Sequence, residues 1–145
     1  MEEKPVYTPA GQGREFAWQS DHAYVKLNAE ESGGRYTLVE DNLTAVFYLP
    51  RHLHRLHAET FYVVSGKVEI QVADRALILT AGDTLHIPPG TPHEVRCLEP
   101  ARMLTLCHPA GLEKLFEAYA AMSEADMADP DKLNAVNLAH DVVML

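Results

Sequence analysis

The sequence predicts an all-β protein, a closed barrel or sandwich with short helices near its C-terminal end. Between residues 36 and 108, short runs of β-type residues follow one another at close, even spacing. Turn-forming residues such as Ser65-Gly66 and Pro89-Gly90 separate these runs. Many short strands at such spacing favour a barrel or sandwich over alternating β and α units.

Each predicted strand is a run rich in β-branched, aromatic or aliphatic residues that ends at a turn signal. In chain order these strands are Thr37–Val39, Leu43–Leu49, Glu59–Val64, Lys67–Val72, Ala76–Thr80, Thr84–Ile87, His93–Leu98 and Arg102–Cys107. The turns between them include Asp41-Asn42, Ser65-Gly66 and Glu99-Pro100. In the irregular first 30 residues, Phe16–Trp18 and Tyr24–Leu27 are further candidates for short strands.

The hydrophobic period changes after Pro109, which predicts helices in the last part of the chain. Apolar residues at i, i+3, i+4 and i+7 predict an amphipathic helix over about 111–121 that packs on the barrel: Leu112, Leu115, Phe116 and Tyr119. Asp129 as N-cap before Pro130 predicts a second helix over about 130–139. We therefore expect one domain over 1–145, with a barrel core at about 36–108.

The composition excludes several classes of function. Acidic residues outnumber basic ones by 21 to 12, which gives a net charge of −9 and disfavours binding to nucleic acid or anionic membranes. No apolar run approaches the ~18–20 residues that span a bilayer. Neither a secretory signal nor a disulfide framework is predicted, since the N-terminus lacks a basic and apolar leader and the only cysteines are Cys97 and Cys107. We expect a cytoplasmic protein.

The segment from His52 to His93 carries the residues that indicate chemistry. His52 and His54 are two residues apart, so in extended chain both imidazoles face the same side. Glu59 is at an odd offset, and a bend over 55–58 is needed to turn it towards the same point. His93 follows a proline–glycine turn at the start of a later strand. Imidazoles and a carboxylate facing one point predict a divalent-metal site with open coordination positions.

These residues resemble the two motifs of the cupin superfamily. His52, His54, Glu59 and Gly66 match the first motif position by position. The second motif is matched by Gly82, Pro88, Gly90 and His93, but its final asparagine is replaced by Cys97. The resemblance implies a double-stranded β-helix, a jelly-roll-like barrel, in which His52, His54, Glu59 and His93 hold the metal. It also implies a homodimer.

The whole-chain layout is similar to small single-domain cupins of the quercetin 2,3-dioxygenase-like group. The similarity lies in the run from Glu59 to Val64, the segment 108–113 and the tail that contains Asp-Pro-Asp-Lys-Leu. It implies a metal-dependent oxygenase that acts with dioxygen on a small aromatic or enol-bearing compound. Fe²⁺ is the first choice of metal, and Mn²⁺, Ni²⁺, Co²⁺, Cu²⁺ and Zn²⁺ are alternatives. Glu59 would act both as a ligand and as the catalytic base.

Two other classes of function fit the same residues. One is a metal-dependent isomerase, epimerase or cyclase, in which the metal polarises a carbonyl group and no oxygen is consumed. The other is a non-catalytic cupin that binds a small molecule. No DNA-binding segment accompanies the motifs, which disfavours a transcription factor.

The remaining candidate residues concern the cavity and its surroundings. Strand alternation places Phe61 and Val63 on the side of Glu59, and Cys97 on the side of His93, as candidates for the pocket lining. Packing in the core is the favoured role of Cys97. His57 is expected in the loop, facing solvent or capping the bend, and His86 in the core or between sheets. Phe47, Tyr48, Tyr62 and Met103 are further lining candidates.

Overall fold

The computed structural model describes residues 2–18 and 20–145, and antiparallel strands make up most of its regular structure. The strands are β1 (Arg14–Trp18), β2 (Asp21–Leu27), β3 (Thr37–Leu43), β4 (Tyr48–Leu53), β5 (Ala58–Val72), β6 (Arg75–Thr80), β7 (Thr84–Ile87), β8 (His93–His108) and β9 (Val143–Met144). The helices are α1 (Leu112–Ala121), α2 (Glu124–Met127) and α3 (Pro130–Ala139). The prediction of an all-β fold with short C-terminal helices is confirmed.

Two long strands, β5 and β8, run antiparallel to each other and belong to two layers at once. The first half of β5 pairs with the second half of β8, and that layer continues through β3 and β2 to β1, with β7 on the other side of β5. The second half of β5 pairs with the first half of β8, and that layer continues through β4 to β9, with β6 beside β5. This is the double-stranded β-helix that the resemblance implied. Within the described residues the strand order ends at β1 and β9, so the jelly roll is open and no closed ring forms.

The corner between the layers lies at residues that the sequence analysis interpreted as turns. The predicted strands on either side of Ser65-Gly66 are one continuous strand, β5, and those on either side of Glu99-Pro100 are one strand, β8. The register shifts at the corner, where a bulge bends the pair. Gly66 has a φ of 86°, and a Cβ there would collide with the backbone of Pro100 and Ala101. These turn signals therefore mark a bend within paired strands.

The predicted strand Leu43–Leu49 is also wrong. Strand β3 passes through Asp41-Asn42, and the chain turns over 44–47, where the Phe47 N–H donates to the Thr44 carbonyl at 3.0 Å. Asp41 lies opposite Ala23 on one side and Met103 on the other. Pairing on both edges outweighs the turn preference of the Asp-Asn dipeptide.

The space between the layers is filled by apolar side chains from both. The main core cluster consists of Leu43, Phe47, Phe61, Val63, Val68, Ile70, Leu79, Ile87, Val95, Cys97, Ala101 and Met103. A second cluster lies where α1 docks, and there Phe116 packs against Phe16 with ring centroids 5.6 Å apart. The helices α1 and α3 occupy 112–121 and 130–139, beside the expected 111–121 and 130–139.

The C-terminal segment returns to the sheet after α3. Strand β9 pairs with β4, placing Val143 opposite Leu53 and Met144 opposite His52. The tail therefore lies directly beside the strand that carries the two-histidine motif. Across the described residues, none of the helices has the length and hydropathy that a membrane crossing requires.

Candidate metal centre

Four predicted residues converge between the two layers. His52 lies on β4, opposite His93 at the start of β8, while His54 follows β4 and Glu59 lies near the start of β5 in the other layer. One nitrogen or oxygen atom from each residue lies within 4.8 Å of those of the other three. Their exposed fractions are only 2% for His52, 8% for His54, 7% for Glu59 and 1% for His93. We call these residues the histidine–glutamate cluster.

Backbone carbonyl groups fix the orientation of all three imidazoles. The Nδ1 atom of His52 lies 2.7 Å from the Pro50 carbonyl oxygen, and that of His93 lies 2.9 Å from the Thr91 carbonyl oxygen. His54 Nδ1 lies 2.8 Å from the carbonyl oxygen of Asp141. A carbonyl only accepts, so each Nδ1 carries the hydrogen and each neutral ring has its lone pair on Nε2. This is the arrangement that proteins use to orient histidine ligands.

The electrostatics of the cluster require a cation. Glu59 Oε2 lies 3.1 Å from His93 Nε2 and 3.3 Å from His54 Nε2. Among the described residues, the buried Nε2 of His54 has no hydrogen-bond partner. In a buried space, the Nε2 lone pairs and the negatively charged carboxylate repel each other unless a proton or a metal ion lies between them. Nitrogen and carboxylate oxygen are donors that divalent transition metals accept, so the residues present fit such an ion.

Burial and mutual contact set the protonation of the cluster without a metal. Burial, together with the neighbouring His93, lowers the pKa of His52 to about 4. Burial alone would lower the pKa of His54, but the nearby Glu59 carboxylate outweighs it and raises that pKa. For Glu59, burial acts upward, yet the contacts with His54 and His93 hold its pKa below the ordinary range. The carboxylate is thus ionised and His52 neutral, as metal ligation requires.

Asp141 holds the loop that joins the ligands on β4 and β5. Its carboxylate accepts hydrogen bonds from the backbone N–H groups of Arg55, Leu56 and His57 at 2.8, 2.8 and 3.1 Å. The same carboxylate lies 2.7 Å from His57 Nδ1. Asp141 has a φ of 60°, a left-handed conformation that aspartate adopts more readily than most residues. Asp141, the second residue after α3, therefore fixes both the His54 ring and the bend predicted over 55–58.

A second tie connects the two motif segments. The Gly90 N–H donates to the His54 carbonyl oxygen at 2.6 Å. Gly90 has a φ of 80°, which an L side chain rarely adopts, so glycine is needed at this turn. The motif glycine thus holds the turn before His93 against the end of β4.

The cluster opens on a cavity of ≈ 90 Å³ between the layers and α1. The walls are mainly apolar, and the residues that line them are Trp18, Asp21, Asp41, Leu43, Phe47, Leu49, His52, His54, Glu59, Phe61, Val95, Met103, Thr105, Leu112, Leu115, Phe116, Tyr119 and Val142. The face of α1 that was predicted to pack on the barrel therefore also closes this cavity. Such a mainly apolar space beside a metal-ligand set suits a small molecule.

The other predicted residues divide between the cavity, the core and the surface. Phe61 lines the cavity, whereas Val63 and Cys97 lie in the core cluster. Both cysteines are buried free thiols, and the Cys97 Sγ donates to the Glu99 carbonyl at 2.9 Å. Phe47 and Met103 line the cavity as well, while the side chains of Tyr48 and Tyr62 are exposed.

The two uncertain histidines lie outside the cluster. His57 is partly buried in the loop beside Asp141, in agreement with the loop-capping interpretation. The expectation of a core or intersheet position for His86 is wrong, because its side chain is exposed and its Nδ1 lies 2.8 Å from the Thr60 hydroxyl. Ile87, the next residue on β7, points inward, so alternation turns His86 outward.

Sequence reasoning missed a polar site in the same cavity, formed by Trp18, Asp21, Asp41 and Thr105, which we call the carboxyl-pair site. The available signal was an acidic residue among inward-facing apolar residues: Asp41 alternates with Val39 and Leu43 on β3. Asp41-Asn42 was interpreted as a turn, which concealed this alternation. Asp21 opens β2, and its inward position follows only from its pairing with β1 and β3.

Comparison with known proteins agrees with the motif assignment. A family model described as "Cupin domain" matches residues 47–107, a range that contains the whole histidine–glutamate cluster. Quercetin 2,3-dioxygenase of Bacillus subtilis (strain 168) is 28% identical over 95 residues, which are 66% of this chain and 28% of that protein. The chain thus spans less than a third of the length of this curated relative.

Solved structures share the fold at low sequence identity. KdgF from Halomonas sp. is 18% identical with a TM-score of 0.68, and the match covers 75% of this chain and 99% of that one. Pac13 of Streptomyces, described as a nucleoside dehydratase, is 18% identical with a TM-score of 0.63, and the match covers 77% of this chain and 88% of that one. At these identities the likeness shows the fold alone. The protein has a cupin fold.

Proposed function

We propose that this chain, a small cupin, is a metal-dependent oxygenase similar to quercetin 2,3-dioxygenase, which oxidises a small aromatic or enol-bearing compound with dioxygen. The observation that carries the proposal is the histidine–glutamate cluster at the wall of an apolar cavity. Three imidazoles and one carboxylate would hold a divalent ion and would leave it able to bind further ligands. The match to the Bacillus subtilis enzyme supports the same chemistry.

The proposed metal is Fe²⁺, held by His52, His54, Glu59 and His93. Mn²⁺, Ni²⁺, Co²⁺, Cu²⁺ and Zn²⁺ accept the same donors, so geometry and supply decide which ion is loaded. A bound redox-active ion supplies the electron exchange that lets dioxygen react with a closed-shell organic molecule. Histidine and carboxylate sets with open positions are typical of non-haem Fe²⁺ oxygenases.

Residues of the chain perform the remaining tasks. Glu59 has two carboxylate oxygens, so one can bind the ion while the other accepts the proton of the substrate hydroxyl or enol. Phe61, Leu115 and Phe116 line the cavity and exclude water from the reacting groups. Asp141 keeps His54 in its ligating orientation through the backbone carbonyl that accepts from Nδ1.

Oxygen uptake tests the proposal. The iron-loaded protein should consume dioxygen when quercetin or a smaller enol such as kojic acid is added, as measured with an oxygen electrode. Glu59→Gln should slow the uptake by at least ~100-fold, because the base is lost and a ligand is weakened. The matched control is His86→Gln, since His86 is exposed and outside the cluster. Absence of uptake by the iron-loaded wild type with both substrates would contradict an oxygenase.

A second candidate is a metal-dependent isomerase, epimerase or cyclase. The observation that favours it is the buried pair Asp21 and Asp41 in the same cavity, which can hold and transfer protons. Such a reaction proceeds without oxygen. Anaerobic exchange of substrate hydrogen for solvent deuterium, followed by NMR, would support it, and binding without exchange or oxygen uptake would indicate a non-catalytic binding protein.

We also propose that the protein is a cytoplasmic homodimer. The dimer rests on the cupin resemblance, and the cytoplasmic setting agrees with two unpaired cysteines. Sedimentation at micromolar concentration should give twice the chain mass of 16.1 kDa. A clean monomer would contradict the dimer.

A further inference from the structure

Outside the histidine–glutamate cluster, the same cavity carries polar groups that the proposed chemistry does not use. The carboxyl-pair site draws on three neighbouring strands of one layer and on β8: Trp18 on β1, Asp21 on β2, Asp41 on β3 and Thr105 on β8. Asp21 and Asp41 are exposed by only 6% and 8%. Two acidic groups buried this deeply are costly unless each has a partner.

Most of the polar atoms at this site are satisfied within the protein. The Thr105 hydroxyl donates to Asp41 Oδ2 at 2.7 Å. The carboxyl groups of Asp21 and Asp41 lie close enough to interact with each other. Burial, reinforced by the charge of Asp41, raises the pKa of Asp21 to about 10, so Asp21 carries the proton that the pair shares.

Two buried polar atoms at the site have no hydrogen-bond partner within residues 2–18 and 20–145: Trp18 Nε1 and Asp21 Oδ1. Trp18 lies directly opposite Asp21 in the β1–β2 ladder, so one donor and one acceptor are next to each other. The indole is held by aromatic packing against Phe116 and Tyr119, at ring-centroid distances of 6.2 and 5.2 Å. Burying both atoms without a partner is unfavourable, so a ligand group is expected there.

We propose that Trp18, Asp21 and Asp41 form a second anchor of the cavity, which binds a hydroxyl group at the far end of the same small molecule that reaches the histidine–glutamate cluster. A hydroxyl oxygen accepts from the Trp18 N–H while its hydrogen is donated to Asp21 Oδ1, so both unpaired atoms are satisfied by one group. The inference rests on the proposed function, because it takes this cavity to be the substrate site.

The charge of the cavity narrows the class of substrate further. Among the described lining residues there is no lysine or arginine, while Asp41 and Glu59 are both acidic. A carboxylate or phosphate on the substrate would meet these acids without a counter-charge. Leu43, Phe47 and Met103 are among the apolar residues that line the same cavity. The substrate is therefore a neutral molecule with an apolar body, an enol or phenol oxygen at one end and a hydroxyl at the other.

Two matched pairs of probes test the anchor at two ligand lengths. Kojic acid differs from allomaltol, and kaempferol from galangin, by one hydroxyl far from the chelating oxygens. Their binding to zinc-loaded protein is measured by calorimetry, because zinc has no redox chemistry and the probes stay intact. In at least one pair, the hydroxylated member should bind about 10-fold more tightly, the gain of one satisfied donor–acceptor site.

Trp18→Phe is the decisive variant, since it removes the N–H and keeps an aromatic ring against Phe116 and Tyr119. It should reduce the ratio of the two affinities within a pair to about one. The metal content and the affinity for the less hydroxylated probe should stay unchanged. Asp21→Ala should have the same effect. If Asp21→Ala does not fold, Trp18→Phe alone still tests the proposal. Equal affinities within both pairs, or a preference that survives Trp18→Phe, would overturn the proposal. Failure of the metal site would instead show as absent zinc, and failure of oxygenase chemistry as absent oxygen uptake with the preference intact.

Discussion

The histidine–glutamate cluster is built mainly from residues close together in sequence, whereas the carboxyl-pair site in the same cavity is assembled from four different strands. His52, His54 and Glu59 lie within one short segment, and only His93 comes from further along the chain. The partners of Asp21, in contrast, are determined by the register of β2 against β1 and β3. A short motif therefore reveals the first site, and only the fold reveals the second.

The histidine–glutamate cluster and the carboxyl-pair site also differ in how their buried charges are compensated. In the histidine–glutamate cluster every imidazole donates Nδ1–H to a carbonyl and presents a lone pair, so a cation is needed. In the carboxyl-pair site a shared proton and the Thr105 hydroxyl supply the compensation, so no metal is needed. Substitutions in the cluster should consequently change the metal affinity, and substitutions in the carboxyl-pair site should change the pH dependence of stability.

The largest effect is expected from loss of a ligand. His54→Ala should lower the affinity for a divalent ion by at least ~100-fold, because a neutral imidazole donor is removed from a buried site. The measurement is competition with a chelator of known affinity, with circular dichroism to show that the β signal is kept. His86→Ala should leave the affinity unchanged, and an equal loss in both variants would contradict the distinction between cluster and surface.

A smaller effect is expected from the residue that positions the ligand loop. Asp141→Gly removes the carboxylate that accepts from three backbone N–H groups, while glycine tolerates the φ of 60°. Metal affinity should fall by about 10-fold, since the backbone carbonyl that orients His54 is retained but its support is weakened. Chelator competition measures this change, and an unchanged affinity would show that the ligand loop is rigid without Asp141.

A different kind of effect, on stability and not on metal affinity, should appear in the pH dependence of unfolding. In the unfolded chain, Asp21 loses its proton above its ordinary pKa of 3.8. In the folded protein the pKa of Asp21 is about 10, so Asp21 stays protonated up to that pH. The folded state thus binds more protons in this range, so the contribution of Asp21 to stability falls as the pH rises, by at most ~1.4 kcal/mol per pH unit. Burial, with the charges of Glu59 and Glu40, also raises the pKa of Asp41, so Asp41 adds to this trend.

Asp21→Asn should flatten that decline, because asparagine does not ionise and its amide can donate to Asp41. Urea unfolding at several pH values between 5 and 9 provides the measurement. Asp126→Asn is the matched control, because the contact with Lys132 lowers the pKa of this partly exposed carboxyl on α2, and the substitution should leave the slope unaltered. A wild-type curve that rises with pH in the same way as that of Asp21→Asn would contradict a shared proton.

The fold and the cluster were predictable to different extents for physical reasons. His52 and His54 share a face by strand alternation, and the bend before Glu59 follows from its odd offset. The convergence of these three side chains could therefore be predicted from a short stretch of sequence. The corner at Gly66 was not, because a bulge and a chain reversal use the same residues. Trp18 and Asp21 could not be assigned to the cavity, since their side depends on how β1, β2 and β3 pair.

The central claim is that His52, His54, Glu59 and His93 hold one divalent ion, and metal analysis after dialysis against limiting iron tests it most directly. The wild type and His57→Ala should each retain about one ion per chain, because His57 contacts Asp141 and is not in the cluster. Glu59→Ala should lose it. If His57→Ala strips the ion and Glu59→Ala retains it, the ligand set is wrong, and the proposed oxygenase loses its main support.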